Sequence, residues 1–160
     1  MRSEQEAIMA VERYGNTVRR LCMTYLKNFH DTEDVFQTVF MKYVLSSVVF
    51  ESDEHEKAWF IRVTINSCKD LLKNFFRTHT VSLDEVIEQA IDFPEKSIDL
   101  LEAVLSLPTK YREVIYLHYY EGYSALEISR ILKKNVNTIY TNLARARLRL
   151  RDTLGGEEIV

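Results

Sequence analysis

A capped helix, a short turn and a second helix follow one another between Ser124 and Arg151, and this local code constrains the chain more than any other feature of it. Ser124 and Glu127 have the spacing of a capping box, in which the hydroxyl accepts from the third helical amide and the carboxylate reaches back to the cap's own amide. A helix is therefore predicted from Ser124. Its apolar residues Ile128, Ile131 and Leu132 recur at helical spacing until Lys133, Lys134 and Asn135 interrupt them, with Asn135 the residue best suited to a left-handed turn. Asn137 is the predicted cap of the second helix, in which Ile139, Leu143, Ala146 and Leu150 form one apolar stripe.

Charge gives this unit a partner class. The chain carries a net charge of -3, yet from Ile128 to Arg151 there are seven basic residues and no acidic one. A basic surface on an acidic chain is the electrostatic footprint of a phosphate-binding face. In a helix-turn-helix the second helix enters the major groove with its N-terminal residues against base edges. Thr138, Thr141, Asn142, Arg145 and Arg149 are expected on one outward stripe. Thr138, Tyr140, Thr141 and Asn142 are assigned to base or near-base contact, and Arg145, Arg147 and Arg149 mainly to phosphate contact.

The rest of the chain reads as helix too. Only four Gly and two Pro occur in 160 residues, and no alternating pattern with hairpin turns interrupts the helical periodicity, so an all-α protein is predicted. Charge divides it into residues 1–77, an acidic stretch 78–99 with six acidic residues against one basic, and residues 100–160. Two small helical domains joined by an acidic linker is the expected architecture, with Val81, Leu83, Val86 and Ile87 able to dock part of the linker on a neighbour.

Three long helices are predicted in the first domain. One runs from about Glu4 to Asn28. The next is capped by Asp31, with Glu33 and Asp34 in its first turn, and carries Val35, Phe36, Val39, Phe40, Tyr43 and Val44, more apolar surface than one narrow stripe. That surface fits either burial on both sides or a docking partner. The third runs from about Glu56 to Arg77, after a solvated loop from Glu51. There Ile61, Ile65, Cys68, Leu72 and Phe76 form an apolar stripe, and Arg62, Asn66, Lys69, Lys73 and Arg77 repeat the same steps about 100° further round. The polar stripe fits a solvated face and a nucleic-acid backbone equally.

Other classes have little support. His30, His55, His79 and His118 are scattered, without a paired-histidine or nucleophile motif, so neither an enzyme nor a cofactor is predicted. His30 with Glu33 and Asp34 has the composition of a metal trio, but helix-terminal chemistry explains it better. Cys22 and Cys68 have no CxxC companion and are read as buried reduced thiols. The charged start, Met1 to Glu6, is unlike a signal peptide, and a cytoplasmic protein is expected.

These pieces, in this order, resemble a bacterial sigma-70 family RNA polymerase sigma factor of the extracytoplasmic-function (ECF) group. Asp31 to Phe40 (DTEDVFQTVF) is similar to the family's AEDLVQEVF segment. Ala58 to Arg62 (AWFIR), continuing through Asn66 to Lys73, is similar to its AWLxxIxxNxxxDxLR segment. Leu107 to Val114, Tyr119 to Tyr123, Glu127 to Ser129 and Thr138 to Arg147 are similar to its region 4.

The resemblance implies functions residue by residue. Glu33, Asp34, Gln37 and Phe40 match the contact with the β' clamp helices of core RNA polymerase. Arg62, Asn66, Lys69, Asp70, Lys73 and Arg77 fall in the part that recognises and opens the promoter's -10 element, where contacts to an extruded base offset its unstacking. The helix-turn-helix corresponds to the reader of the -35 element, in the half of the protein that meets the β flap. The acidic linker would follow polymerase's RNA channel. An anti-sigma factor is an expected partner, and through it the chain can be held at the membrane. The chain departs from the pattern in two places: Lys133 and Asn137 stand where Gly is usual and Asn142 where Arg is usual, and Lys73 to Arg77 is much less basic than the family's Arg-rich end of region 2, so promoter preference does not transfer. The alternative is a stand-alone helix-turn-helix regulator that binds operator DNA without polymerase.

Overall fold

The computed structural model describes residues 1–75 and 98–154, and every regular element among them is helical. The chain divides into two compact units, Met1–Val81 and Ser82–Val160. Most of the expected linker lies outside the described residues, as do Phe76 and Arg77.

In the first unit α1 (Glu4–Leu26), α2 (Phe29–Leu45) and α3 (Asp53–Phe75) pack each against the other two. α1 begins with its own capping box: Glu6 N donates to Ser3 Oγ at 3.1 Å, and Ser3 N donates to Glu6 Oε1 at 3.3 Å. It ends at Lys27, which takes the left-handed conformation with φ 52°. That early ending moves the next cap upstream of the predicted one. Asn28, not Asp31, caps α2, its Oδ1 accepting from Asp31 N at 2.8 Å. Asp31 therefore sits in the first turn, where the macrodipole favours it, and Glu33 and Asp34 lie beyond that turn. α3 likewise starts earlier than expected. Ser52 Oγ accepts from His55 N at 3.1 Å, and Asp53, Glu54 and Glu56 occupy a first turn where a solvated loop was expected.

Phe60 is the centre of this core. It is fully buried, with ring centroids 4.8 Å from Tyr14, 5.1 Å from Phe40 and 4.9 Å from Tyr43. Such offset and tilted pairs are worth roughly 0.5–1.5 kcal/mol each beyond the area they bury. Polar groups at the core's edge are satisfied within the unit: Glu56 accepts from Tyr14 Oη at 2.9 Å and from Tyr43 Oη at 3.0 Å. Burial, and then the hydrogen bond to Glu56, push the Tyr14 phenol up to about 12. Arg2 closes the same end of the bundle. Its Nε donates to Tyr43 O at 3.0 Å, and its guanidinium lies 4.4 Å from the Tyr43 ring centroid and 5.2 Å from that of Phe50. Cys22 and Cys68 are free, fully buried thiols that meet across α1 and α3. Their hydrogen bond, followed by burial, raises Cys22 well above an ordinary thiol.

In the second unit α4 (Ile98–Leu105) and α5 (Thr109–Ile115) are joined through Pro108, and the buried Arg112 ties them. Its Nη1 donates to Leu105 O at 3.3 Å and to Leu107 O at 2.9 Å, giving partners to carbonyls that a helix end leaves open. α5 widens into a π-helical turn, Tyr116–Tyr120, before Gly122 turns the chain at φ 81°. α6 (Ala125–Leu132) and α7 (Val136–Thr153) complete the unit.

Candidate nucleic-acid interface

The predicted capping box is present at the start of α6. Glu127 N donates to Ser124 Oγ at 3.1 Å and Ser124 N donates to Glu127 Oε1 at 2.9 Å. The bond from the Ser124 backbone, then that from its side chain, hold the Glu127 carboxylate below its ordinary range. The turn that follows differs from expectation in both of its special residues. Lys133, not Asn135, is left-handed, with φ 55°. Asn135, not Asn137, caps α7, accepting from Asn137 N at 2.8 Å, while Asn137 is exposed in the first turn. Lys134 fixes the turn to α5: its Nζ stands 3.1 Å from Oε1 of the buried Glu113.

α7 buries the predicted stripe, Ile139, Leu143, Ala146 and Leu150, against its own unit. Thr138, Tyr140, Thr141, Arg145 and Arg149 are exposed, but Asn142 is 6% exposed and belongs to the packed side. The reason is angular. At about 100° per residue Thr141 points about 170° from the centre of the buried stripe and Arg145 about 130° from it, whereas Asn142 is only about 70° away. The outward stripe drawn from sequence was rotated toward the core by the width of one residue. Asn142 is thus corrected from a base-contact candidate to a buried polar residue.

Arg147 lies at the same angle as Asn142 on the opposite flank, about 70° from the buried centre. It is half-buried. Its guanidinium sits 5.4 Å from the ring centroid of Tyr119, and its Nε donates to the Tyr119 hydroxyl. Arg149, on the other rim, lies 5.0 Å over the Tyr111 ring. The exposed centre of α7 is therefore Thr138, Thr141 and Arg145, flanked by two arginines seated on tyrosines. No aspartate or glutamate of α7 precedes Asp152. This surface can neutralise phosphates and present two hydroxyls to base edges at a groove floor.

The first unit carries the other candidate residues. On α3, Asn66, Asp70 and Lys73 are exposed and Arg62 and Lys69 half-buried, while Ile61, Ile65 and Cys68 of the apolar stripe are buried; Arg77 lies outside the described residues. On α2, Asp34 and Gln37 are exposed. Glu33 is held by Arg19 at 3.1 Å, which together with the 3.9 Å separation of His30 and Asp34 accounts for the suspected metal trio. Among the described residues no group of His, Cys, Asp and Glu is placed to hold a metal ion, and no helix is long and apolar enough to cross a membrane.

Phe40 is 8% exposed, with its ring 4.6 Å from Phe36 and 5.1 Å from Phe60, so it is corrected from a surface contact to a core residue. Val35, Val39 and Tyr43 are buried with it. Beyond Phe29 at the first position of the helix, the apolar surface left on α2 comes from residues the sequence reading did not choose, Met41 (59% exposed) and Leu45 (64% exposed). They continue the line of Gln37 at steps of four. That spacing was their only signal.

Known proteins share both units. Residues 10–75 match the family described as Sigma-70 region 2 and residues 97–150 match Sigma-70, region 4. The chain is 32% identical to RNA polymerase sigma factor SigV of Bacillus subtilis over 143 residues, covering 88% of this chain and 86% of the relative. It is 28% identical to ECF RNA polymerase sigma factor SigW of the same organism, over 90% of this chain and 86% of that one. Among solved structures, the sigma factor RpoE of Bartonella quintana, in complex with the anti-sigma factor NepR, is similar in fold with a TM-score of 0.72. It is 20% identical, and the match covers 97% of this chain and 98% of that one. The three-helix unit and the helix-turn-helix unit therefore match two regions of one family, and the chain belongs to the sigma-70 family of RNA polymerase sigma factors, in its ECF group.

Proposed function

We propose that the two units divide the work of promoter recognition, and that three surfaces carry it. A sigma factor directs promoter-specific transcription by RNA polymerase. In this chain the -35 element is read by α7, with Thr138, Tyr140 and Thr141 toward the bases and Arg145, Arg147 and Arg149 on the phosphates. The -10 element is engaged by α3 through Arg62, Asn66, Lys69, Asp70 and Lys73, with Arg77 beyond the described residues. The β' clamp helices of core polymerase take Asp34, Gln37, Met41 and Leu45 of α2, and Glu33 serves by fixing α2 to Arg19. The second unit meets the β flap.

The observation that carries this reading is the sidedness of α7. Its apolar stripe is spent on its own unit, and Thr141 and Arg145 point away from that stripe into solvent on a face without acidic residues. The exposed centre of that face packs on nothing in its own unit, and its charge suits phosphates. An anti-sigma factor is proposed as the chain's regulator, because a protein of the same fold is bound by one; a cytoplasmic location follows from that role.

Reconstitution with core polymerase tests the division. Thr141→Ala with Arg145→Ala is expected to lower transcription from promoters that depend on their upstream element by tenfold or more, at roughly 1–3 kcal/mol per specific contact, with polymerase binding unchanged. Equal loss of both activities would overturn the assignment of α7.

A further inference from the structure

We propose that Tyr119 is a positioning residue for promoter binding: it fixes the guanidinium of Arg147 so that the two terminal nitrogens are presented to a phosphate of the DNA backbone. The proposal rests on the reading of α7 as the DNA-facing helix and adds to it a residue outside the helix-turn-helix.

The geometry begins with the π-helical turn. A wider turn re-aims the side chains that follow it, and such turns occur mainly where a helix has a specific job. Here the rings of Tyr116 and Tyr120 stack on each other, 5.2 Å apart and 11° from parallel, and Tyr116 Oη donates to Glu121 Oε2 at 2.6 Å. Those two rings are engaged with each other within the turn. Tyr119 is directed elsewhere, to α7. His118 supports it from behind. Its Nδ1 donates to Tyr123 O at 2.8 Å, and its ring meets that of Tyr119 edge-on, 4.8 Å away at 82°. The carbonyl can only accept, so this bond selects the Nδ1-protonated tautomer.

Tyr119 engages Arg147 in two ways at once. The ring lies 5.4 Å from the guanidinium carbon, and the hydroxyl accepts from Nε. A guanidinium has five N–H donors in a rigid fork. With Nε engaged by the tyrosine, the four donors on Nη1 and Nη2 remain at the far end, the pair that suits a bidentate contact to phosphate. Arg145 is exposed, whereas Arg147 is half-buried on its seat. A side chain already held in one orientation loses less rotamer freedom on binding than a solvated arginine does.

The test uses the full chain assembled with core polymerase and a linear promoter fragment chosen by mapping transcript starts. Affinity is measured across salt concentrations for Tyr119→Phe, Arg147→Ala and the double variant. Arg147→Ala is expected to reduce the salt slope by about one unit, the loss of one phosphate contact. Tyr119→Phe keeps the ring and the slope but lowers affinity roughly two- to fivefold, the scale of immobilising one long side chain. In the Arg147→Ala background, Tyr119→Phe should have no further effect. Equal losses from Tyr119→Phe in both backgrounds, or no loss in the parent, would overturn the positioning role while leaving the phosphate contact intact. An unchanged slope and affinity for Arg147→Ala would overturn that contact and the proposal together; Arg145→Ala measured in parallel then reports whether α7 itself meets DNA. Melting temperatures of the three variants separate a folding defect, which lowers affinity and stability in step, from lost positioning.

Discussion

Lys134 Nζ stands 3.1 Å from Glu113 Oε1, and the glutamate side chain it meets is only 2% exposed. The pair joins the turn of the helix-turn-helix to α5, an element 21 residues earlier in the chain. Lys134→Met withdraws the ammonium from a carboxylate that water does not reach, and is expected to destabilise the second unit by about 1–3 kcal/mol in urea denaturation. Glu113→Gln with Lys134→Met should cost less than Lys134→Met alone. A double variant as unstable as the summed singles would mean that the two side chains act independently.

The same turn holds a conformational cost that one substitution relieves. Lys133 is left-handed at φ 55°, a region in which a side chain costs roughly 1–2 kcal/mol and glycine almost nothing. After the entropy that glycine adds to the unfolded chain, Lys133→Gly should stabilise the unit by about 0.5–1 kcal/mol. Thermal melting checks this. A loss of stability would show that the lysine side chain contributes packing that outweighs its backbone.

Ser124→Ala should cost about 1 kcal/mol of stability near neutral pH. The difference from the parent is pH-dependent, because the capping box holds the Glu127 carboxylate below its ordinary value of 4.5. For a carboxylate depressed on folding, the added stability is present above the unfolded value and lost as pH falls through the folded one. The gap between parent and variant is therefore expected to narrow below about pH 4.5. Glu127 is at the surface, so this part of the effect is small. A gap that widens on acidification would contradict the cap.

On α2 the core and the docking surface separate by mutation. Phe40→Ala should destabilise the first unit by about 3–5 kcal/mol, as expected for emptying a packed aromatic site. Met41→Asp with Leu45→Asp should leave folding intact and weaken binding to core polymerase by tenfold or more, as loss of central apolar contacts does. Competition for core polymerase against a labelled sigma factor measures the second effect, and urea denaturation the first. Full binding by the double aspartate variant would move the polymerase contact elsewhere.

What was legible in the sequence was local. Ser124 and Glu127 are three residues apart and need nothing else to form their box, and the periodicity of Ile139, Leu143, Ala146 and Leu150 is a property of one helix. The all-α class followed from the scarcity of Gly and Pro with that periodicity. Choices between equivalent residues were not legible. Asn28 and Asp31 are both capable caps, and the selection was made by where α1 ends, at left-handed Lys27. Positions at the rim of a stripe depend on what packs beside them, which is why Asn142 is buried and Arg147 finds Tyr119. Phe40 and Met41 are neighbours on one apolar-rich helix, and only the placement of Phe60 on α3 decides which of them is core. The meeting of Cys22 with Cys68 and the π-helical turn at Tyr116–Tyr120 are tertiary events with no local signature.

The central claim is that α7 reads the upstream promoter element through its outward face while its buried face only holds the fold. Transcription in vitro by core polymerase and this chain, on a mapped promoter and on the same promoter with its upstream element scrambled, tests it most directly. The parent should lose activity when the element is scrambled. Thr141→Ala with Arg145→Ala should be equally weak on both templates, whereas Asn142→Ala, with its melting temperature lowered, should keep the preference. A parent indifferent to the upstream element, or an outward-face variant that still distinguishes the two templates, would contradict the account.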